Sequence, residues 1–506
     1  MADVLLTHSY HLFFDRKQVR KMQPYPPLGT LYAAALLRDR GISVALFDSM
    51  LQNPEESFGK VLRKYRPKIV VVYEDNFNFL SKMCLTRMRQ VAFGLAEKAK
   101  SAGALTLVNG SDASDHASEY LREGFDYVLT GEAEWTLLSL ANQLLGSSPG
   151  TLQEVPGLVY LDSLTHDIVR TPAQKLMDDL DALPFPAWDL VDIDHYRDAW
   201  TKAHGFFSLN MVSSRGCPYH CNWCAKPIYG TSYNARSPQK VAEEMRLLKE
   251  RFAPDQLWFA DDIFALKPRW TESFALAVQS LGATIPFKMQ SRADLMSPER
   301  VNALQRAGCV EVWMGAESGS QRILNAMEKD LQVEQIIEAR RNLQQHNIRA
   351  CFFLQFGYAG ESWPDIQETI DLVRRARPDD IGVSVSYPLP GTKFYSMVSG
   401  QLEDKTNWED SEDLAMMFKG AYTNEFYRAL HDALHLEVDL TCAASRTTQG
   451  IDTLLKGWSR LADLWLRVGQ LETQCRNMNP TVLANPAHAE SQASELRPSI
   501  SHARSS

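Results

Sequence analysis

Three cysteines carry the densest chemistry in this 506-residue chain, in the run Cys217-Pro-Tyr-His-Cys221-Asn-Trp-Cys224. Thiolates are soft ligands that suit iron–sulfur clusters or zinc. Spacings of three and then two residues let the sulfurs converge on one inorganic centre in a single pass of the loop. A structural zinc site needs four ligands. His220 lies inside the loop, no second Cys-x-x-Cys exists, and His431 and His435 stand far off in a helical stretch. Zinc therefore needs His220, or a C-terminal part folded back onto the loop, as its fourth ligand. Plain core cysteines are the other alternative. On a cubane cluster, three thiolates leave one iron open to a small molecule.

The spacing resembles the signature of the radical S-adenosylmethionine (SAM) superfamily. The resemblance implies that Cys217, Cys221 and Cys224 hold a [4Fe–4S] cluster whose fourth iron is chelated by the amino and carboxylate groups of SAM. One electron would then cleave the sulfonium to a 5′-deoxyadenosyl radical. Trp223 takes the aromatic position that lies near the adenine in that family.

Elements must hold such a loop in place. Residues 206–213 form an apolar run just before it, so the loop is expected at the end of a strand, where parallel sheets and barrels keep their chemistry. Further strands are expected at 256–260, around Phe287, and at 310–315, 350–356 and 381–386. Ser237-Pro238, Lys267-Pro268 and Ser297-Pro298 open the helices between them. Six strands with helical crossovers predict a partial (β/α)6 barrel. Polar residues follow the strands: Asp261 and Asp262, Arg292, Glu317-Ser318-Gly319, and 357–361 ending in Glu361. Carboxylates suit an ammonium or ribose hydroxyls, and an arginine suits a carboxylate. The same carboxylates could cap the helices that follow, which for Glu361 is at least as good a reading. Phe259-Ala-Asp-Asp262-x-Phe264 and Gly315-Ala-Glu-Ser-Gly319 resemble the family's SAM contacts, although its commoner Gly-Gly-Glu is absent. Pro388-Leu-Pro-Gly-Thr392 resembles its closing motif. Trp223, Asp261, Asp262, Arg292, Glu317 and Ser318 are the SAM contacts this implies.

Upstream, short apolar strands at 4–7, 43–47, 69–73, 105–108 and 127–129 alternate with helices at 28–40, 55–65, 85–101, 114–122 and 133–144. That alternation predicts an α/β fold with a doubly wound parallel sheet. Neither Gly-x-Gly-x-x-Gly after the first strand nor Gly-x-x-x-x-Gly-Lys-Ser/Thr is present, which disfavours nucleotide binding by those routes. Pro26-Pro27-Leu28-Gly29, the strand ending at Asp48, and Gly131-Glu132-x-Glu134 resemble the cobalamin-binding domain that precedes the barrel in one large radical SAM class. The resemblance implies corrin contacts at Leu28, Asp48, Tyr73, Asn78, Gly110, Ser111, Gly131 and Glu132. The Asp-x-His-x-x-Gly cobalamin motif is missing, so the implied state is base-off without a histidine ligand. A degenerate domain that has lost its cofactor fits the same residues.

Length alone demands several cores. We expect a first domain at 1–150, a linker with a hairpin at 151–200, the barrel at 201–395, a helical region at 396–475 and a disordered tail at 476–506. Residues 183–189 resemble a Leu-Pro-x-Pro-x-Trp-Asp linker of the cobalamin class. A formal charge of −9 argues against a general nucleic-acid binder. No stretch approaches ~18 apolar residues, and no signal peptide is visible. Sparse cysteines, three of them clustered, suit a reducing cytoplasm. His431 and His435 read as a polar helix flank rather than a metal pair.

The expectation is a cobalamin-dependent radical SAM enzyme: a methyltransferase acting on an unactivated carbon of a small molecule, with flavodoxin or ferredoxin as one-electron donor. No catalytic residue is needed beyond the cofactor ligands. Alternatives are an anaerobic oxidative cyclase or ring-rearranging enzyme of the magnesium-porphyrin ester type, and a non-catalytic corrin- or metal-binding maturation protein. A tRNA-modifying role is disfavoured by the acidic balance.

Overall fold

In the computed structural model, which describes residues 2–82, 85–226, 228–402, 405, 407–409, 411, 414–446 and 451–478, two sheets organise the chain. The first contains β1 (Val4–Thr7), β2 (Val44–Phe47), β3 (Ile69–Tyr73), β4 (Leu105–Asn109), β5 (Tyr127–Leu129), β6 (Leu158–Leu161) and β7 (Ile168–Arg170). Their order is β2-β1-β3-β4-β5-β6-β7, parallel through β5. Short β-branched strands such as Ile-Val-Val-Val-Tyr in β3, buried on both faces, are what a parallel sheet covered by helices requires. Alternate residues go to different cores. Leu5, Val70, Val72 and Val108 pack with Phe58 and Leu62 in a small cluster, while Val4, Leu6, Ile69, Val71 and Leu107 join a core continuous with the second sheet. The order reverses between β1 and β3, and the crevice beyond their carboxyl ends is where such sheets bind ligands.

The hairpin expected between the two modules is part of this sheet: β6 pairs antiparallel with β5, and β7 with β6. The sheet thus runs on to Arg170, past residue 150.

The second sheet follows the expected barrel pattern. It comprises β8 (Ser208–Met211), β11 (Gln256–Phe259), β12 (Phe287–Ser291), β13 (Cys309–Glu317), β14 (Arg349–Phe356) and β15 (Asp380–Val385); the two-residue β9 (Ser214–Arg215) and β10 (Asn234–Ala235) form a separate ribbon. The six long strands are all parallel and in sequential order, with β8 and β15 at the edges, so the barrel is open. Ser237 and Ser297 cap the helices that begin at Pro238 and Pro298, as their Ser-Pro steps predict. Phe259, Phe287, Met289, Val312, Met314, Phe352 and Leu354 are buried in the large core, where Phe274 from helix Pro268–Ser280 meets Phe259 and Phe287. Trp258, Gln290, Trp313, Phe353 and Ser384 alternate with them and line the half-exposed opposite face.

Two C-terminal helices, Asn424–Arg446 and Ile451–Met478, pack on one another, and the first also packs on β15. The second runs past residue 475, and the rest of the expected tail lies outside the described residues, as does Cys84. The chain between β15 and these helices returns to the first domain. There the Thr86 amide donates to Trp408 O (2.8 Å), and the Ser411 hydroxyl donates to Asp15 Oδ1 (2.9 Å). The His431 and His435 rings lie 4.3 Å apart on the first helix, tilted at 48°, and burial lowers both from the usual imidazole range. No helix among the described residues is long and apolar enough to cross a membrane.

Candidate active site

β9 and β10 pinch the base of the cysteine loop: Ser214 pairs with Ala235, and Arg215 with Asn234. Gly216 turns the chain out of that ribbon at φ +78°, where a Cβ would stand 2.1 Å from Ser232 O, so only glycine fits. Asp261 sits beneath. It is fully buried at the end of β11 and accepts from the Ser213 amide (3.1 Å), the Ser213 hydroxyl (2.6 Å) and the Ser214 hydroxyl (2.5 Å). Burial lifts its carboxyl to about 6 against the pull of those donors. Asp261 thus fixes the exit of β8, and its oxygens are used inside the protein.

Within the loop, the Lys226 ammonium donates to the carbonyls of Cys217 (3.0 Å) and Tyr219. Asn222 donates to Ala326 O (2.8 Å) and meets the Tyr358 hydroxyl at 2.9 Å. The guanidinium of Arg292 lies 3.7 Å from the centre of the Tyr219 ring, paired with Asp294 (2.9 Å) and donating to Asp330 O (2.8 Å). Cys217, Cys221 and Cys224 are half-buried free thiols, and burial pushes Cys224 up to about 12. Metal binding deprotonates a thiol outright, so this cost falls on the metal-free state.

Do these residues fit the cluster? Among the described residues, no three His, Cys, Asp or Glu side chains converge as ligands of one ion. Zinc would need them gathered at about 2.3 Å from a common centre. A cubane instead takes each thiolate on a different iron. One loop offering three thiols, with His220 exposed, fits the cluster better than the four-ligand ion.

Glu317 ends β13 at a register shift and holds φ +60°, a strained conformation for a non-glycine residue at a strand end. Its carboxylate pairs with Lys329 at 2.8 Å, both side chains buried. Burial alone would lower the Lys329 ammonium, but Glu317 and the nearby Cys221 outweigh it. Ser318 faces away, bonded to Thr369 Oγ1 (3.0 Å) and to the Ser320 amide. Asp262 is exposed, close enough to raise Cys217 and Cys224. Trp223 packs against the core with its indole N–H buried and unbonded. Trp223, Asp262, Arg292 and Glu317 therefore lie around the thiol loop, Arg292 and Glu317 already paired with Asp294 and Lys329, whereas the side-chain oxygens of Asp261 and Ser318 are used away from it.

The expected corrin contacts divide similarly. Leu28 and Tyr73 are buried in the core. Asp48 accepts from the Tyr196 hydroxyl (2.7 Å) and pairs with His8 Nε2 (2.9 Å). Asn78 turns onto the Leu80 amide, and Glu132 accepts from the Met177 amide and Arg215. Gly110 and Gly131 carry only local backbone bonds, Gly110 O accepting from Ser114 (2.8 Å) and Gly131 O from the Asn109 side chain (3.1 Å). A Cβ on Gly110 would meet Glu74 Cγ at 2.8 Å, and Gly131 (φ +67°) faces Ile228 O across the domain boundary. Ser111 Oγ and Asp75 Oδ2 are buried there without partners. Orphaned polar atoms beside glycines at the carboxyl ends of β3, β4 and β5 fit a polar ligand such as the tail of a corrin.

The sequence reading missed Arg215. Two residues before Cys217, it reaches into the first domain and bonds Glu132 (2.5 Å) and Glu134 (2.8 Å), all three buried. Tyr32, Phe77 and Tyr229 surround it at 5.3–5.7 Å, the last two stacked on each other. The doubled carboxylate at 132 and 134, at the start of an apolar helix, was the available signal: two buried anions demand a cation. Lys226 and Lys329 carried no such signal.

Glu361 accepts from the Gly357 amide (2.5 Å), and burial lifts its carboxyl to about 8. A group whose folded pKa exceeds its unfolded value stabilises the fold fully below the unfolded pKa and loses that contribution as pH rises through the folded one. Glu361→Gln removes the titration. The melting temperature of the variant relative to the native protein should therefore rise steadily from pH 5 to pH 8 and level off above; a difference flat with pH in a thermal-shift series contradicts the assignment.

Arg215 thus ties the thiol loop at the end of β8 to Glu132 and Glu134 beyond the end of β5. Residues 211–373 match the family model of the radical SAM superfamily. The chain is a radical SAM enzyme, and its domains are arranged as in the cobalamin-dependent members. Its relatives include an uncharacterized methyltransferase of Pyrococcus horikoshii, 24% identical over 80% of this chain and 88% of the relative. Another is the hopanoid C-3 methylase of Methylococcus capsulatus, 27% identical over 74% and 69%. Among solved structures, the cobalamin-dependent SAM radical enzyme OxsB, with aqua-cobalamin and SAM bound, superposes with a TM-score of 0.71 at 17% identity, covering 98% of this chain and 75% of OxsB.

Proposed function

We propose that this enzyme is a cobalamin-dependent methyltransferase that acts on an unactivated carbon of a small-molecule substrate. One observation carries the reading: the three-thiol loop at the end of β8 is joined by Arg215 to the crown of the first sheet. That tie would hold the radical source and the corrin crevice on facing surfaces. When bound, the cluster supplies one electron for SAM cleavage and the corrin supplies the methyl group; such cofactors bring the hard chemistry and the protein orients them. Cys217, Cys221 and Cys224 would hold the cluster. Asp262, Arg292, Glu317 and Trp223 would receive SAM, and Gly110, Ser111 and Gly131 the corrin.

The chain's own residues do the rest. Asp261, Lys226 and Asn222 fix the loop through backbone contacts, and the chain around Trp408 closes the gap between the domains. Excluding water matters, because a carbon radical must meet no other hydrogen donor. A cytoplasmic flavodoxin or ferredoxin is the proposed reductant. The methylase names of the two relatives support methyl transfer over cyclisation.

The test is anaerobic protein reconstituted with iron, sulfide and cobalamin, reduced and given SAM labelled in its methyl group. Label in a substrate, with 5′-deoxyadenosine formed alongside, is the expected result. 5′-Deoxyadenosine with unlabelled product would point to a cyclase or rearrangement. No SAM cleavage at all would leave only the carrier alternative.

A further inference from the structure

Well below the thiol loop, the inner face of the barrel carries a charge that no protein group offsets. Lys288 alternates along β12 with Phe287 and Met289, which are buried in the large core, so its side chain points into the barrel. It is 8% exposed. Its ammonium lies 4.5 Å from the centre of the Trp258 ring and 5.9 Å from that of Tyr25, and among the described residues no carboxylate or carbonyl takes a hydrogen bond from it. A buried ammonium without an acceptor is among the costliest groups a fold can keep, and a contact with an aromatic face offsets only part of that cost.

The parallel register puts Asn210, Trp258, Lys288, Glu311 and Arg349 in one row across β8, β11, β12, β13 and β14. Glu311 is next to Lys288, but one of its oxygens accepts from the Trp313 indole N–H (2.9 Å) and the other from Arg349 (2.9 Å). Asp380 shares this face on β15, three strands from β12. Lys288 is therefore the one uncompensated charge of the row. Asn210 is its second open group: the side-chain amide donates to Pro26 O (3.0 Å), and Oδ1 is buried without a partner. Tyr25 closes the row from below, its hydroxyl 3.2 Å from Ser208 Oγ at the start of β8. Above, Gln290 and Trp313 are half-exposed, so the row faces a space that continues up the barrel. Arg292, beside the thiol loop, is four residues further along the chain, about 13 Å at the rise of a strand.

A ligand of this row must bring one negative charge to Lys288 and a hydrogen-bond donor to Asn210 Oδ1. A carboxylate matches a single uncompensated ammonium, whereas a phosphate dianion would bring a second charge with no cation for it. The donor belongs on a carbon near the carboxylate. A hydroxyl fits there better than an ammonium, which would cancel the ligand's charge and leave Lys288 as it is. Trp258 and Trp313 give the rest of the molecule apolar walls.

We propose that the substrate is a hydroxy acid whose carboxylate is held by Lys288 and whose hydroxyl is held by Asn210 in the lower barrel, its apolar body directed up past Trp313. The carbon that reacts is then remote from the carboxylate. The proposal rests on the enzymatic reading above and names its substrate class. Four probes of similar size test it on the full-length, cluster-loaded protein by titration calorimetry: 3-phenyllactate, 3-phenylpropanoate, 3-phenylpropane-1,2-diol and 2-phenylethylamine. 3-Phenyllactate should bind about tenfold or more tighter than the diol, the effect of one charge-assisted hydrogen bond, and about fivefold tighter than 3-phenylpropanoate, which lacks the hydroxyl. The amine should be the weakest of the four. Lys288→Met should bind 3-phenyllactate and the diol alike. It should also melt no lower than the native protein, because it removes an unpaired buried ammonium, whereas a lysine with a purely structural role would cost stability when replaced. Equal binding of 3-phenyllactate and the diol by native protein, failure of all four to bind, or an undiminished acid preference in Lys288→Met overturns the proposal, as does a lowered melting temperature in that variant. Reductive 5′-deoxyadenosine formation is measured on the same native samples: its absence defeats the enzymatic reading, and its presence with no acid preference defeats only this one.

Discussion

A Cys221→Ala protein prepared anaerobically should fall from about four irons per chain to nearly none, the content of a cubane whose three protein ligands are thiolates. Reductive SAM cleavage should drop to the level of a protein-free control. Two remaining thiolates cannot hold a cluster whose other irons face SAM and solvent. The fold should survive, with a change within about 1 kcal/mol, because Cys221 is only half-buried in a loop whose backbone is tied elsewhere by Lys226 and Asn222. Cys309→Ala and Cys351→Ala are the controls. Both thiols are wholly buried in strands β13 and β14, so these variants should lose about 1–2 kcal/mol of stability and keep their iron. Metal analysis and chemical denaturation decide it: iron retained by Cys221→Ala, or zinc found in native protein, removes the basis for the cluster.

Much of this architecture was legible because local signals agreed with the global fold. Ser-Pro steps opened helices where Ser237 and Ser297 cap them, and short apolar runs became strands within a residue or two. The thiol loop was legible because spacing alone constrains it. What escaped were long-range pairings. β6 could be read as half of a hairpin, but its edge contact with β5 depends on a neighbour outside its own sequence window. Asp261 carried the right residue type at the right strand end, yet the serines at 213 and 214 claim its oxygens, and no periodicity reports that competition. The burial of Glu361 was hidden for a similar reason. Glu361 reads as a helix-start carboxylate, and only the approach of Tyr427 from a distant helix to Gly357, whose amide Glu361 holds, shows that it is enclosed.

Arg215→Met should be the most damaging substitution outside the thiols. It leaves Glu132 and Glu134 buried without a cation, and breaking a buried ion pair from one side costs about 3–5 kcal/mol. Burial already raises Glu132 above its ordinary value, with Arg215 the main influence opposing it. Without the guanidinium the Glu132 carboxyl rises further. Groups with raised folded pKa values give up stability as pH climbs above the unfolded value near 4.5, so the deficit should be least at pH 5 and grow toward pH 8. Glu132→Gln and Glu134→Gln combined with Arg215→Met should recover much of the loss, since three neutral polar or apolar groups no longer carry an unpaired charge. The combined variant still separates the domains chemically, because the tie between the crown and the residue two before Cys217 is gone. Restored stability with iron binding still weakened would show that Arg215 sets the position of the thiol loop against the first domain. If Arg215→Met is as stable as the native protein at pH 8, the triad is not the joint between the two sheets, and the facing arrangement of thiols and crown loses its anchor.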